Sequence, residues 1–231
     1  MKFFFTSILI IMALFANSQN EQSPTDWANL NRYAHANASL APAAPGESRV
    51  VFMGNSITEF WSVFDSSFFL NKPYINRGIS GQTSPQMLLR FRQDVIGLKP
   101  AVVVILAGIN DIAGNTGLAT TEQIFGNIVS MAELARTNGI RVVICSVLPA
   151  FDFPWRPGLN PTDKIVALNT MIKDYCTDNL IVYVDYYSAM ADKNRALNKA
   201  YTDDGVHPTR AGYKVMDELV EKGIAAALMR P

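Results

Sequence analysis

A serine hydroxyl is a weak nucleophile until a neighbouring base takes its proton, so the histidines decide where such chemistry could sit. The chain has two, His35 and His207. His35 lies in a polar amino-terminal stretch and reads as a solvated helix residue. His207 lies in Asp203-Asp204-Gly205-Val206-His207-Pro208. There Asp204 could accept a hydrogen bond from the imidazole and fix its tautomer and orientation, as the acid of a serine triad does; Asp203 is the rival acid. The candidate nucleophile is Ser56, in Gly54-Asn55-Ser56-Ile57-Thr58 directly after an apolar run. Its competing role is as the N-cap of a helix, with Glu59 completing a capping box.

Acyl transfer also needs donors aimed at the oxyanion of the tetrahedral intermediate, one such donor being worth roughly 3–4 kcal/mol of barrier. Two further polar clusters could supply them. In Asn76-Arg77-Gly78-Ile79-Ser80-Gly81-Gln82-Thr83, Gly81 would let substrate approach the backbone because it has no side chain; Gly78 reads as a turn glycine. In Gly108-Ile109-Asn110-Asp111, the Asn110 amide can donate while staying neutral, and Asp111 reads as structural. The expected oxyanion hole is therefore Ser56 N–H, Gly81 N–H and the Asn110 side chain. Asn55, beside the serine, and Trp155, in a Pro-rich loop at 151–158, are candidate substrate contacts.

Elements of an α/β fold must bring these clusters together. Apolar runs too short for helices, at 49–53, 74–76, 101–106, 141–147 and 181–184, alternate with longer stretches of helical periodicity. Such runs read as strands buried on both faces, hence a parallel sheet. Helices are predicted from Ser84 to about Ile96, after the Thr120-Thr121-Glu122-Gln123 capping pattern, after Pro161, and from Thr209. In an open parallel sheet ligands bind beyond the carboxyl ends of the strands, where strand order reverses. An order of 2-1-3-4-5 would make the first three loops converge on one crevice.

At these residues the sequence resembles the SGNH/GDSL hydrolases. Gly54-Asn55-Ser56-Ile57 is similar to the family's Gly-Asp-Ser-(Leu/Ile) block, Gly81 to its glycine block, Gly108-Ile109-Asn110-Asp111 to Gly-x-Asn-Asp, and Asp204 with His207 to Asp-x-x-His. The blocks stand in the family's order from Val50 to about Tyr213. The resemblance implies a three-layer α/β/α flavodoxin-like fold with a five-stranded parallel sheet. It also implies a cofactor-free esterase working through an acyl-enzyme. Short acyl groups such as acetyl, carried by a small molecule or a glycan, are the expected substrates; lipase-like or thioesterase action on longer acyl chains and a non-catalytic carbohydrate-binding protein of the same fold are the alternatives. Asn55 departs from the family's usual Asp, a loop-shaping neighbour of the serine.

Composition narrows the alternatives. Lys+Arg and Asp+Glu both number 20, so no basic surplus exists to neutralise a phosphate backbone and nucleic-acid binding is not expected. With two histidines and no Cys-x-x-Cys, no metal site is expected. Lys2, the apolar run at 3–15 and Ala16-Asn17-Ser18 form a signal-peptide layout over 1–18. A helix and linker are expected over 19–48, and the hydrolase domain over 49–231. No Cys follows the expected cleavage point, so no lipid anchor is indicated, and the mature chain is expected to be periplasmic or secreted without stable membrane insertion. Cys145 and Cys176 read as buried free thiols.

Overall fold

The structure, a computed structural model, describes residues 26–230. The expected signal peptide at 1–18 and the start of the 19–48 segment lie outside the described residues. Five strands form the sheet: β1 (Val50–Gly54), β2 (Tyr74–Gly78), β3 (Val102–Leu106), β4 (Arg141–Cys145) and β5 (Val182–Val184), all parallel, in the order β2-β1-β3-β4-β5. Every residue of β1 and β3 is buried, which explains their unbroken apolar character: both faces are covered.

The helices are α1 (Ala34–Ala38), α2 (Ser56–Phe64), α3 (Ser66–Phe69), α4 (Ser84–Asp94), α5 (Ile109–Ile112), α6 (Thr121–Thr137), α7 (Thr162–Asp178), α8 (Tyr186–Met190) and α9 (Arg210–Leu228). α4, α6 and α7 pack in sequence on one face of the sheet, while α2 and α9 cover the other. The result is the predicted three-layer arrangement. The Thr120 capping box forms in full, with Thr120 and Gln123 exchanging side chain-to-backbone bonds, and starts α6. Among the described residues no helix is long and apolar enough to cross a membrane. Cys145 and Cys176 are buried and free, and burial pushes both thiols up to about 12.

Two helix expectations need correction. The periodicity of Trp27, Leu30, Ala34 and Ala38 predicts one helix, but α1 covers only its second half. Asn29 sits at φ 53°, and the Asp26 carboxylate takes the N–H groups of Leu30 and Asn31 at 2.7 and 3.1 Å, forming a turn in place of a helix. The helix predicted over 84–96 stops at Asp94 and passes into a 3-10 turn, Ile96–Leu98.

Gly78 is not a turn residue. It ends β2 against the backbone of α2, where a Cβ would stand 2.2 Å from the Glu59 nitrogen and 2.7 Å from its Cα. Strand and helix meet this closely because nothing stands between them. The pairing also sets the level of the loops: Gly54 is opposite Gly78 on one side and Leu106 on the other. The three loops bearing Ser56, Gly81 and Asn110 therefore leave the sheet side by side.

Candidate active site

Ser56 is the first residue of α2 and is buried to 5% exposure. Helix geometry leaves N–H groups of the first turn without intrahelical acceptors, so the Ser56 N–H is a donor at the positive end of the helix dipole. The N-cap is Asn55, whose side-chain oxygen accepts the Ile57 N–H at 3.1 Å. This settles the competing role for Ser56. Glu59 does not close a capping box: its carboxylate takes the Ser80 N–H and hydroxyl at 2.8 and 2.6 Å and pairs with Arg32 at 2.9 Å. Asn55 does not meet the expectation of a substrate contact. It is 1% exposed, committed to the cap, and its amide nitrogen is enclosed without a hydrogen-bond partner.

The loop before α9 returns His207 to the serine. Ser56 Oγ and His207 Nε2 are 2.9 Å apart, and His207 Nδ1 is 2.6 Å from Asp204 Oδ2. The other Asp204 oxygen accepts the backbone N–H groups of Val206 and His207 at 2.9 and 2.7 Å. The acid thus fixes both the ring and the chain that carries it. Burial opposes the charge on Asp204, yet hydrogen bonds from the His207 ring, its charge and the two backbone donors outweigh it, and the carboxyl is held down at about 2. Asp203 points to solvent as an exposed residue. Thr202 closes the loop, its hydroxyl donating to the His207 carbonyl at 2.8 Å. The Tyr213 hydroxyl, from α9, donates to the Ile57 carbonyl at 2.8 Å and locks the base-bearing element to α2.

Across from the dyad, Gly81 adopts φ 76°, a left-handed conformation that favours glycine. Its carbonyl accepts from Asn115 Nδ2 at 3.2 Å. Asn110, in α5 behind Gly108 at φ 120°, donates one amide hydrogen to the Gln82 carbonyl at 3.0 Å. An amide carries two hydrogens, so one is left for a ligand. Asp111 is structural: its buried carboxylate accepts the Ser84 N–H at 2.9 Å and hydroxyl at 2.6 Å at the start of α4, with burial raising its pKa. His35 is exposed and takes part in none of these contacts.

Aromatic rings flank the imidazole. Phe60, one turn on from Ser56 in α2, and Trp155, in the loop after β4, place ring centroids 5.7 and 6.0 Å from that of His207. Trp155 is 45% exposed, rests on Phe153 at 5.2 Å, and donates its indole N–H to Asn115 at 3.4 Å. A cavity of about 290 Å³ opens between this loop and Asp204. A larger one, about 640 Å³, lies at the opposite ends of β4 and β5 among Arg136, Arg141 and Arg230. The candidate site is marked by the contacts of Ser56 with His207 and of His207 with Asp204, and not by cavity size. Phe60, Gln82 and Asn115 were not picked out from the sequence. Only Phe60 carried a usable signal, standing four residues from Ser56 and so on the same face of a helix.

The sequence profile of the GDSL-like lipase/acylhydrolase family matches residues 52–215, from β1 into α9. The chain belongs to this family. Two solved structures resemble this GDSL-like protein closely. One, assigned as an acylhydrolase from Bacteroides fragilis NCTC 9343, is 53% identical with a TM-score of 0.86. It covers 87% of this chain and 98% of its own. A GDSL-like lipase from Bacteroides thetaiotaomicron VPI-5482 is also 53% identical, with a TM-score of 0.85 and the same coverage. An acetyl xylan esterase shares the fold at 18% identity and a TM-score of 0.62, over 75% of this chain and 98% of its own. A Bacillus subtilis (strain 168) lipoprotein of uncharacterised role is 32% identical over 85 residues, 36% of this chain and 35% of that relative's length. The GDSL-like chain thus spans about a third of the curated relative it matches.

Proposed function

We propose that the protein is an exported serine esterase that removes short acyl groups, acetyl above all, from carbohydrate esters. The observation that carries this reading is the run of contacts from Ser56 Oγ to His207 Nε2 at 2.9 Å and from His207 Nδ1 to Asp204 at 2.6 Å. His207 takes the Ser56 proton as the oxygen attacks the ester carbonyl. The oxyanion is held by the N–H groups of Ser56 and Gly81 and by the free hydrogen of the Asn110 amide. His207 then passes its proton to the departing alcohol, leaving an acyl-serine. Water enters by the same general-base route and releases the acid. Asp204 holds the imidazole in the tautomer whose Nε2 accepts from serine.

The half-exposed indole of Trp155 beside His207 supports a sugar on the leaving-group side, since an aromatic face suits the apolar face of a pyranose. The fold shared with an acetyl xylan esterase supports a short acyl chain. The lipoprotein relative supports a place outside the cytoplasm.

Ser56→Ala should abolish hydrolysis and fluorophosphonate labelling without changing the thermal transition; labelling that survives the substitution refutes the nucleophile. A chain-length series of aryl esters, followed by acetate release from acetylated glycans, tests the substrate. Preference for long acyl chains refutes the short-chain assignment.

A further inference from the structure

Arg90 is a fully buried cation in α4 that takes no part in the chemistry described above. Its three nitrogens point to three places. Nη1 pairs with Asp94 at 3.0 Å, one turn along the same helix. Nη2 donates to the Gly54 carbonyl at 3.0 Å, two residues before Ser56. Nε donates to the Gln82 side-chain oxygen at 2.6 Å. Gln82, also fully buried, directly follows Gly81. Its own carbonyl accepts the Asn110 amide at 3.0 Å, and its side-chain nitrogen donates to the Ala28 carbonyl at 2.7 Å. One guanidinium and one amide therefore touch the chain beside each of the three expected oxyanion donors.

We propose that Arg90 and Gln82 are positioning residues that set the spacing of the oxyanion donors, with the amino-terminal segment at Ala28 as their outer anchor. The inference rests on the serine-esterase reading. Planar geometry makes it specific. A guanidinium presents its donors in a rigid fork, so fixing Asp94 and Gly54 also fixes where Gln82 must lie. Gln82 in turn leaves Asn110 one orientation, because the hydrogen bonded to the Gln82 carbonyl directs the other away from it. Neither residue touches substrate. Both act through the Gly54–Ser56 turn, the Gly81–Gln82 peptide and the Asn110 amide.

A positioning role and a merely structural one separate when turnover is counted per intact site. Active-site titration with a fluorophosphonate gives that count. Phenylboronic acid gives a second measure, because its tetrahedral adduct with serine places an oxygen where the oxyanion forms. Gln82→Met should lower kcat on p-nitrophenyl acetate about 10- to 100-fold per titrated site and weaken phenylboronic acid by the same factor, with KM nearly unchanged. Arg90→Lys should show the same signature. It keeps a buried charge beside Asp94, but a single ammonium cannot reach Gln82 and Gly54 in the fork geometry. Either variant, folded, that matches wild type in kcat per site and in boronic-acid inhibition overturns the proposal, whatever its melting temperature. Ser56→Ala is the control: if it leaves turnover intact, the esterase reading itself has failed. If it abolishes turnover while the Gln82 and Arg90 variants match wild type, only the positioning role has failed.

Discussion

Gly78→Ala adds a single carbon between β2 and α2. That carbon would lie 2.2 Å from the Glu59 nitrogen and 2.7 Å from the Thr58 carbonyl carbon. Both are backbone atoms, so no side chain can swing aside. Carbon contacts settle near ~3.5 Å, and α2 must therefore move away by roughly 1.3 Å. Overpacking of this kind costs about 1–3 kcal/mol, and a clash with backbone belongs at the upper end. For a domain of this size about 3 kcal/mol corresponds to a fall in Tm of roughly 6–12 °C. Activity should fall as well, because Ser56 opens the helix that moves, and a displacement of about 1 Å near reacting atoms is worth on the order of 100-fold. Thermal denaturation and kcat/KM on p-nitrophenyl acetate read the two effects. Gly126→Ala is the control, since a Cβ there, in the exposed middle of α6, meets nothing within 4 Å. It should gain about 0.5–1 kcal/mol. A Gly78→Ala protein whose Tm stays within about 2 °C of wild type and whose activity is intact would refute the close-packing account.

Asp204→Asn should lower kcat by about 10⁴-fold, with little change in KM, by putting an amide where a carboxylate must fix the imidazole; steady-state kinetics decide it, and a loss under tenfold counts against the role. The same carboxyl makes stability depend on pH. Its folded value of about 2 lies below the ordinary ~3.9 of an unfolded aspartate, so the unfolded chain binds more protons between the two. Its contribution is complete above about pH 4 and drains as pH falls toward 2. For a side chain 26% exposed it amounts to no more than about 2 kcal/mol after solvent screening. The unfolding free-energy gap between wild type and Asp204→Asn should narrow below pH 4. Trp155→Ala should raise KM for an acetylated glycan several-fold, the loss of about 0.5–1.5 kcal/mol of ring contact, and leave small aryl acetates nearly unaffected; equal effects on both would remove the sugar platform. Asn55→Ala should cost about 1 kcal/mol through the lost cap without raising KM, whereas a large rise in KM would return Asn55 to the substrate.

What could be read in advance follows from how far apart the interacting residues lie. The strands were legible because burial on both faces leaves an unbroken apolar run, as in Val102–Leu106. The start of α6 was legible because Thr120 and Gln123 act on each other across three residues. The candidate nucleophile and donors stood out because polar residues clustered after strands have no packing reason to be there; the candidate base and acid stood in a further such cluster before the last helix, and only the family resemblance implied its return to Ser56. The contacts of Gln82 were not. It meets Ala28, Arg90 and Asn110, positions scattered along the chain, and no local pattern distinguishes it from an ordinary loop glutamine. Gly78 was misread for the same reason: a glycine needed for close approach and one needed for a turn are the same letter. Asn55 was misplaced because adjacency to Ser56 in sequence says nothing about which way a side chain faces at a helix start.

The level row formed by Gly54, Gly78 and Leu106 has a consequence for how this scaffold can change. Reactive groups hung from neighbouring strands inherit their separation from the sheet's own lattice, about 4.8 Å from one strand to the next. That spacing cannot be tuned gradually. A one-residue slip would turn every side chain of the slipped strand to the opposite face. The loop bearing Trp155 is under no such discipline, because it leaves from β4, one strand beyond the row. New substrates can therefore be accommodated by remodelling that rim while the hydrolytic apparatus stays locked in place.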